Sequence, residues 1–127
     1  MKIVLAPNAF KGSMTAMQAA KAMGQGVRAA FPGAEVVAVP VADGGDGLAS
    51  VLIDALGGEA RIVTVRGPLG APVQATLCLV PALGLAAVEM AAASGLALLA
   101  PEDRNPTRTS TYGTGELIRA ALDLGAR

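Results

Sequence analysis

The chain has 127 residues, 53% of them hydrophobic, with 10 Lys+Arg, 10 Asp+Glu and no His, so its formal net charge is zero. That length suits one domain or one lobe of something larger, and a chain of this size can bury a real core. Balanced charge argues against nucleic acid as the main partner, the absence of His excludes His-based triads and zinc sites within the chain, and 2% aromatics leave little for stacking bases or sugars.

Lys2 to Ala6 reads as a short buried strand that ends at Pro7. The apolar start is too short for the core of a signal peptide. After a loop, Ser13 is expected to cap a helix running to about Phe31. Ala16, Ala20, Met23, Val27 and Phe31 recur at helical spacing and mark its expected buried face, and Pro32-Gly33 stops it. Glu35 to Val41 is Val-rich and nearly continuous in apolarity, as in a parallel strand buried on both faces. A glycine-rich turn, Ala42 to Gly47, leads into a second helix from Leu48 to Leu56, closed by Gly57-Gly58. Glu59 to Arg66 is a third strand, so the first half alternates strand and helix in the α/β manner.

Gly67 to Gly70 is a turn. Val73 to Leu79 then places Val73, Ala75, Leu77 and Leu79 on one face and Gln74 and Thr76 on the other, which predicts a strand antiparallel to its predecessor. Cys78, the lone cysteine, lies in this apolar run and reads as a small buried hydrophobe. Leu85 to Met90 is a further strand, Ala91 to Leu99 a small-residue turn or short helix, and Pro101 to Pro106 a polar loop. Thr114 is expected to cap a last helix, Gly115 to Leu124. Between Leu77 and Ala100 the only charge is Glu89, a length that would span a bilayer. Pro81, Gly84, Gly95 and the central carboxylate speak against that, and a soluble, cytoplasmic protein is the expectation.

Three loops carry the chemistry. Pro7 to Ser13 joins a strand to a helix and places Lys11 near a helix N-terminus, where phosphates and carboxylates are attracted; a solvated lysine beside a plain cap is the alternative. Asp43-Gly44-Gly45-Asp46-Gly47 offers two carboxylates in a turn. Such a pair suits Mg²⁺, or one aspartate can accept a proton from a substrate hydroxyl, or Asp can serve as an ordinary cap. Asn105 to Glu116 packs five Ser/Thr hydroxyls and two glycines before a helix, a cradle for an anion or sugar or else a well-capped loop. An isolated carboxylate such as Glu89 in an apolar run calls for a partner or a functional duty. Gly24 to Ala29 matches G-x-G-x-x-A but falls inside a helix, Gly45 to Ser50 is only a partial dinucleotide match, and no Gly-Lys pair of a Walker A loop exists.

Five strings in order then carry a resemblance. They are Met1 to Pro7, Phe10-Lys11-Gly12-Ser13, Pro40-Val41-Ala42-Asp43-Gly44-Gly45, Glu89 to Leu96, and Asn105-Pro106 with Thr109 to Ile118. Together the chain resembles the N-terminal part of bacterial glycerate kinases of the glyoxylate/glucarate-pathway type. Two departures stand out: Asn8-Ala9 where the family usually shows Asp-Ser, and Asp46 where it usually has Glu.

The resemblance implies ATP-dependent phosphorylation of D-glycerate with Mg²⁺, giving 2-phosphoglycerate. It also implies a two-domain α/β fold, one domain flavodoxin-like, with the active site between them. The expected architecture is therefore a parallel or mixed sheet with flanking helices. Residues 1–66 would form a partial first lobe and 67–127 the truncated start of the flavodoxin-like lobe, since the family's later Gly-Gly-Ser-Ala-Thr-Asn-Asp-Gly-Gly-type segment is absent. Asp43 and Lys11 are the expected catalytic pair, with Asp43 and Asp46 as metal ligands. Ser13, Gly44, Gly45, Ser94, Thr111, Tyr112, Gly113 and Thr114 are the expected substrate or phosphate contacts. An inactive fragment, a non-catalytic anion- or nucleotide-binding module and a flavin-binding module are the competing expectations. Truncation would leave apolar surface open and favour self-association.

Overall fold

The strongest local pattern in the chain, two β-rich runs separated by Gly67–Ala71, folds as an antiparallel hairpin. The computed structural model describes residues 1–127. In it β3 (Glu59–Arg66) pairs with β4 (Pro72–Val80) in register from Glu59↔Leu79 to Arg66↔Pro72, and β4 pairs antiparallel with β5 (Leu85–Val88). The expected boundary at 66/67 falls at the turn of this hairpin, whose two strands share one sheet. β1 (Lys2–Leu5) and β2 (Glu35–Ala38) form a separate parallel pair joined by helix α1 (Ala16–Ala30). The alternating first half is thus present as β1–α1–β2–α2–β3, with α2 spanning Leu48–Leu56, but its three strands do not lie side by side.

The two faces of β4 explain how the three-stranded sheet is held. Ala75, Leu77 and Leu79 point to one side, where Val65 of β3, Ala93 of α3 (Met90–Ser94) and Leu117 and Ala121 of α4 (Tyr112–Asp123) complete a cluster. Cys78 and Val80 point to the other, against Ala49, Leu52 and Ile53 of α2. Leu77 and Leu117 are fully buried, and burying each such side chain contributes about 1.5–3 kcal/mol. The stretch Leu77–Ala100 is consumed by β4, β5 and α3, and no helix is long and apolar enough to cross a membrane.

Four expectations are corrected. Thr15, not Ser13, caps α1: its hydroxyl accepts from Gln18 N–H (3.2 Å) while the Gln18 side chain accepts from Thr15 N–H (2.8 Å), a complete capping box. The buried face of α1 is Ala16, Ala19, Ala20 and Gly24, whereas Met23 and Phe31 are about half exposed. Gly24 lies on the face of α1 turned to the parallel pair: a Cβ there would make ordinary contact with Leu5 (3.6 Å) and Val36 (3.7 Å). β2 ends at Ala38 and is not buried on both faces; Val39 and Val41 are exposed. Finally, α4 begins at Tyr112, so Thr114 lies inside the helix, and Thr111 holds the cap position without a side-chain bond.

Candidate active site

The two loops richest in charge are brought together by the path of the chain beyond the parallel strands. Past β1 and β2 the backbones stay paired, with Val39 N–H donating to Leu5 O (2.8 Å) and Val41 N–H to Pro7 O (3.0 Å). The segments that follow, Asn8–Ser13 and Ala42–Gly47, therefore leave the same end of the pair, as ligand-binding loops do in open α/β sheets. The first closes on itself: Phe10 and Met14 exchange backbone bonds of 2.9 and 3.0 Å, and Gly12 takes φ +72° at the bend. The second turns through Gly44 and Gly47, both at φ +94°, with Asp43 Oδ1 accepting from Gly45 N–H (3.3 Å).

Between them lies a cleft of about 370 Å³ lined by Asn8, Ala9, Lys11, Asp43, Gly45, Asp46 and Ala91, the last at the start of α3. The four ion pairs are Lys2–Glu35, Arg61–Glu59, Arg66–Glu116 and Arg119–Asp123, so Lys11, Asp43 and Asp46 have no partner of opposite charge. One cation and two carboxylates thus face a common space uncompensated. An adjoining hollow of about 280 Å³ includes Ser13, Asp46, Gly47 and Ser50 in its lining.

Glu89 has found its partners. Its carboxylate accepts from Ala49 N–H (2.7 Å) and Gly47 N–H (3.2 Å), at the start of α2. Two of the amides at the positive end of that helix are therefore satisfied by the protein itself. Lys11 remains the cleft's only cationic side chain.

The third loop is placed elsewhere. Ser110, Thr111 and Tyr112 line a separate groove with Gly115, Glu116 and Arg119. Gly113 is buried because the Arg66 carbonyl passes so close that no side chain fits. Around it Glu116 accepts from Arg66 N–H (2.7 Å) and pairs with its guanidinium (3.3 Å), which also lies 4.4 Å over the Tyr112 ring. Thr114 and Ser94 hydrogen-bond to each other (2.8 Å) and tie α4 to α3. Of the expected residues, then, Lys11, Asp43, Gly45 and Asp46 share one cleft, Ser13 lines the adjoining hollow, and Gly44 belongs to the same turn as Asp43 without lining the cleft. Ser94 and Thr114 are engaged with one another, Thr111 and Tyr112 face the second groove, and Gly113 is a packing position. Sequence reasoning missed the Arg66–Glu116–Tyr112 cluster, for which the i,i+4 spacing of Tyr112 and Glu116 was the available signal.

A bound Mg²⁺ usually takes one or two carboxylates and completes its shell with phosphate oxygens and water. Asp43 and Asp46, three residues apart on one exposed turn, fit that pattern, and no third acidic, His or Cys side chain joins them to form a closed protein cage.

Comparison with known proteins shows the family of the chain. The family model described as Glycerate kinase family matches residues 3–127. Glycerate kinase of Halalkalibacterium halodurans is 51% identical over 97% of the chain, and that of Bacillus subtilis 50% over 99%. Glycerate 2-kinase of Escherichia coli is 48% identical over 99%. The match covers 32%, 33% and 33% of those three proteins, so the chain spans about a third of the length of its curated relatives. A crystal structure assigned as glycerate kinase 2 from Salmonella typhimurium LT2 superposes with a TM-score of 0.79 at 45% identity, covering 99% of this chain and 34% of that one. The chain belongs to the glycerate kinase family.

Proposed function

We propose that this chain carries the charged loops of a cytoplasmic enzyme that phosphorylates D-glycerate with ATP and Mg²⁺, giving 2-phosphoglycerate and ADP. The observation that supports this reading best is the cleft in which Lys11, Asp43 and Asp46 meet without ion-pair partners. Phosphoryl transfer asks mainly for positioning and charge neutralisation, and these are the residue types it needs. The Asp43 carboxylate takes the proton of the glycerate 2-hydroxyl. The freed oxygen bonds to the γ-phosphorus, the bond from phosphorus to the β,γ-bridging oxygen breaks, and ADP leaves with that electron pair. Lys11 offsets charge on the transferring group. Asp43 and Asp46 are the carboxylates that would hold Mg²⁺, which would supply further charge neutralisation. Ser13 and the Gly44–Gly45 backbone stand where a substrate carboxylate is received, and the hydroxyls of Ser110–Tyr112 offer a second anion contact in their own groove.

The test is a chimera in which these 127 residues replace the matching third of the Bacillus subtilis relative, measured by coupled ADP release with D-glycerate. The parent chimera turns over, and Asp43→Asn lowers kcat at least ~100-fold while the protein stays folded. Near-normal turnover of a folded Asp43→Asn protein refutes the assignment. A folded parent chimera that binds anions but releases no ADP favours the non-catalytic reading instead.

A further inference from the structure

The Asp43–Gly47 turn has little stiffness of its own. It contains three glycines, two of them in the left-handed region, and its internal side-chain bond is the local Asp43–Gly45 contact. The following helix opens on Gly47, which has no side chain to cap it. Bonds from outside the turn and α2 to this segment come from one side chain, Glu89, whose two oxygens accept from Gly47 and Ala49 N–H at 3.2 and 2.7 Å. Glu89 is also where α3 begins: its backbone is the N-cap of that helix, and its carbonyl accepts from Ala92 N–H (3.1 Å). Two residues on, Ala91 lines the same cleft as Asp43 and Asp46. One residue therefore stands at two helix starts, binding α2 through its side chain and opening α3 with its backbone, and segments beside both starts line the cleft.

We propose that Glu89 is the positioning residue for the acidic turn: its bidentate grip on the α2 N-terminus sets where Asp43 and Asp46 stand relative to Lys11. This inference rests on the proposed function only for its effect on turnover; the clamp itself does not depend on it. A carboxylate suits the task because both oxygens accept and its charge complements the helix terminus. A carboxamide keeps one acceptor and turns an N–H₂ donor toward the other amide, so Glu89→Gln releases part of the grip without removing volume.

Two measurements test this. In the 127-residue chain, amide hydrogen exchange followed by NMR speeds up at Gly47 and Ala49 in Glu89→Gln by about tenfold or more, because each amide loses part of its protection. Unchanged exchange at both amides overturns the clamp. In the chimera, Glu89→Gln lowers kcat about 10-fold and Glu89→Ala about 100-fold, with KM for D-glycerate changing less than about threefold, since positioning rather than uniform binding is lost. Glu59→Gln, on the surface of β3, serves as the control and leaves kcat unchanged. If Glu89→Ala does not fold, Glu89→Gln decides alone. A folded Glu89→Gln chimera with kcat within twofold of its parent overturns the positioning role while Asp43→Asn is inactive. An active Asp43→Asn chimera overturns the proposed function itself.

Discussion

Gly113 and Gly115 lie two residues apart on α4, and alanine at each has opposite consequences. At Gly113 a Cβ overlaps the Arg66 carbonyl oxygen and lies 2.9 Å from its carbon, where carbon pairs need about 3.5–4.0 Å. The obstacle is backbone at the turn end of the hairpin, where Arg66 pairs with Pro72, so it cannot rotate away like a side chain. The first turn of α4 has to retreat from β3 by about 1 Å. That retreat breaks the Glu116 bond to Arg66 N–H, worth about 1.5–3 kcal/mol as a bond to a charged group, and adds about 1–3 kcal/mol of overpacking. Gly113→Ala is expected to cost about 3–5 kcal/mol, a fall of more than about 10 °C in thermal midpoint for a chain of this size. Gly115 is exposed, helical and has open space where a Cβ would go, so Gly115→Ala gains about 0.5–1 kcal/mol from helix propensity. Circular dichroism of both variants during heating and in urea provides the comparison. A Gly113→Ala protein melting within about 2 °C of its parent would refute the close approach of α4 to Arg66.

The core makes a second demand: Leu117→Ala, truncating a fully buried side chain that meets β4 and α3, costs about 2–5 kcal/mol in urea unfolding. A loss below about 1 kcal/mol would mean that α4 is not seated on the sheet. Burial raises the Cys78 thiol above its ordinary value of 9.0, so the unfolded chain releases this proton first as pH rises. The associated stability is complete below pH 9.0 and is lost as pH climbs through the raised folded value; the stability difference between the parent and Cys78→Ala shrinks over that range, and a difference constant to pH 10.5 contradicts the assignment.

The sheet elements are legible in the sequence because their signal is local. β3 has the expected bounds, and β4 follows from the period-two pattern of Val73 to Leu79 between turn residues. The caps were partly legible. Thr15-Ala16-Met17-Gln18 is a capping-box string, a stronger cap signal than Ser13, which has no Glu or Gln three residues on. At α4, five nearby Ser/Thr hydroxyls compete for one cap, and packing of Gly113 against Arg66 chooses the start. The separation of β1–β2 from β3–β5 was not legible, since strand order is set by contacts between distant segments. For the same reason Glu89 could be recognised as a carboxylate needing a partner, while its partners, 40 and 42 residues away, could not be named. The chemistry of Lys11, Asp43 and Asp46 is legible in the sequence; their common cleft arises from backbone pairing beyond the ends of β1 and β2.

The central claim is that these charged loops receive a transferring phosphoryl group. Its most direct test is a crystal structure of the chimera with D-glycerate and a non-hydrolysable ATP analogue. The account predicts an Asp43 carboxylate oxygen within hydrogen-bond distance of the glycerate 2-hydroxyl, with Lys11 facing the γ-phosphate. Both ligands seated away from the Lys11–Asp43–Asp46 cleft would contradict it.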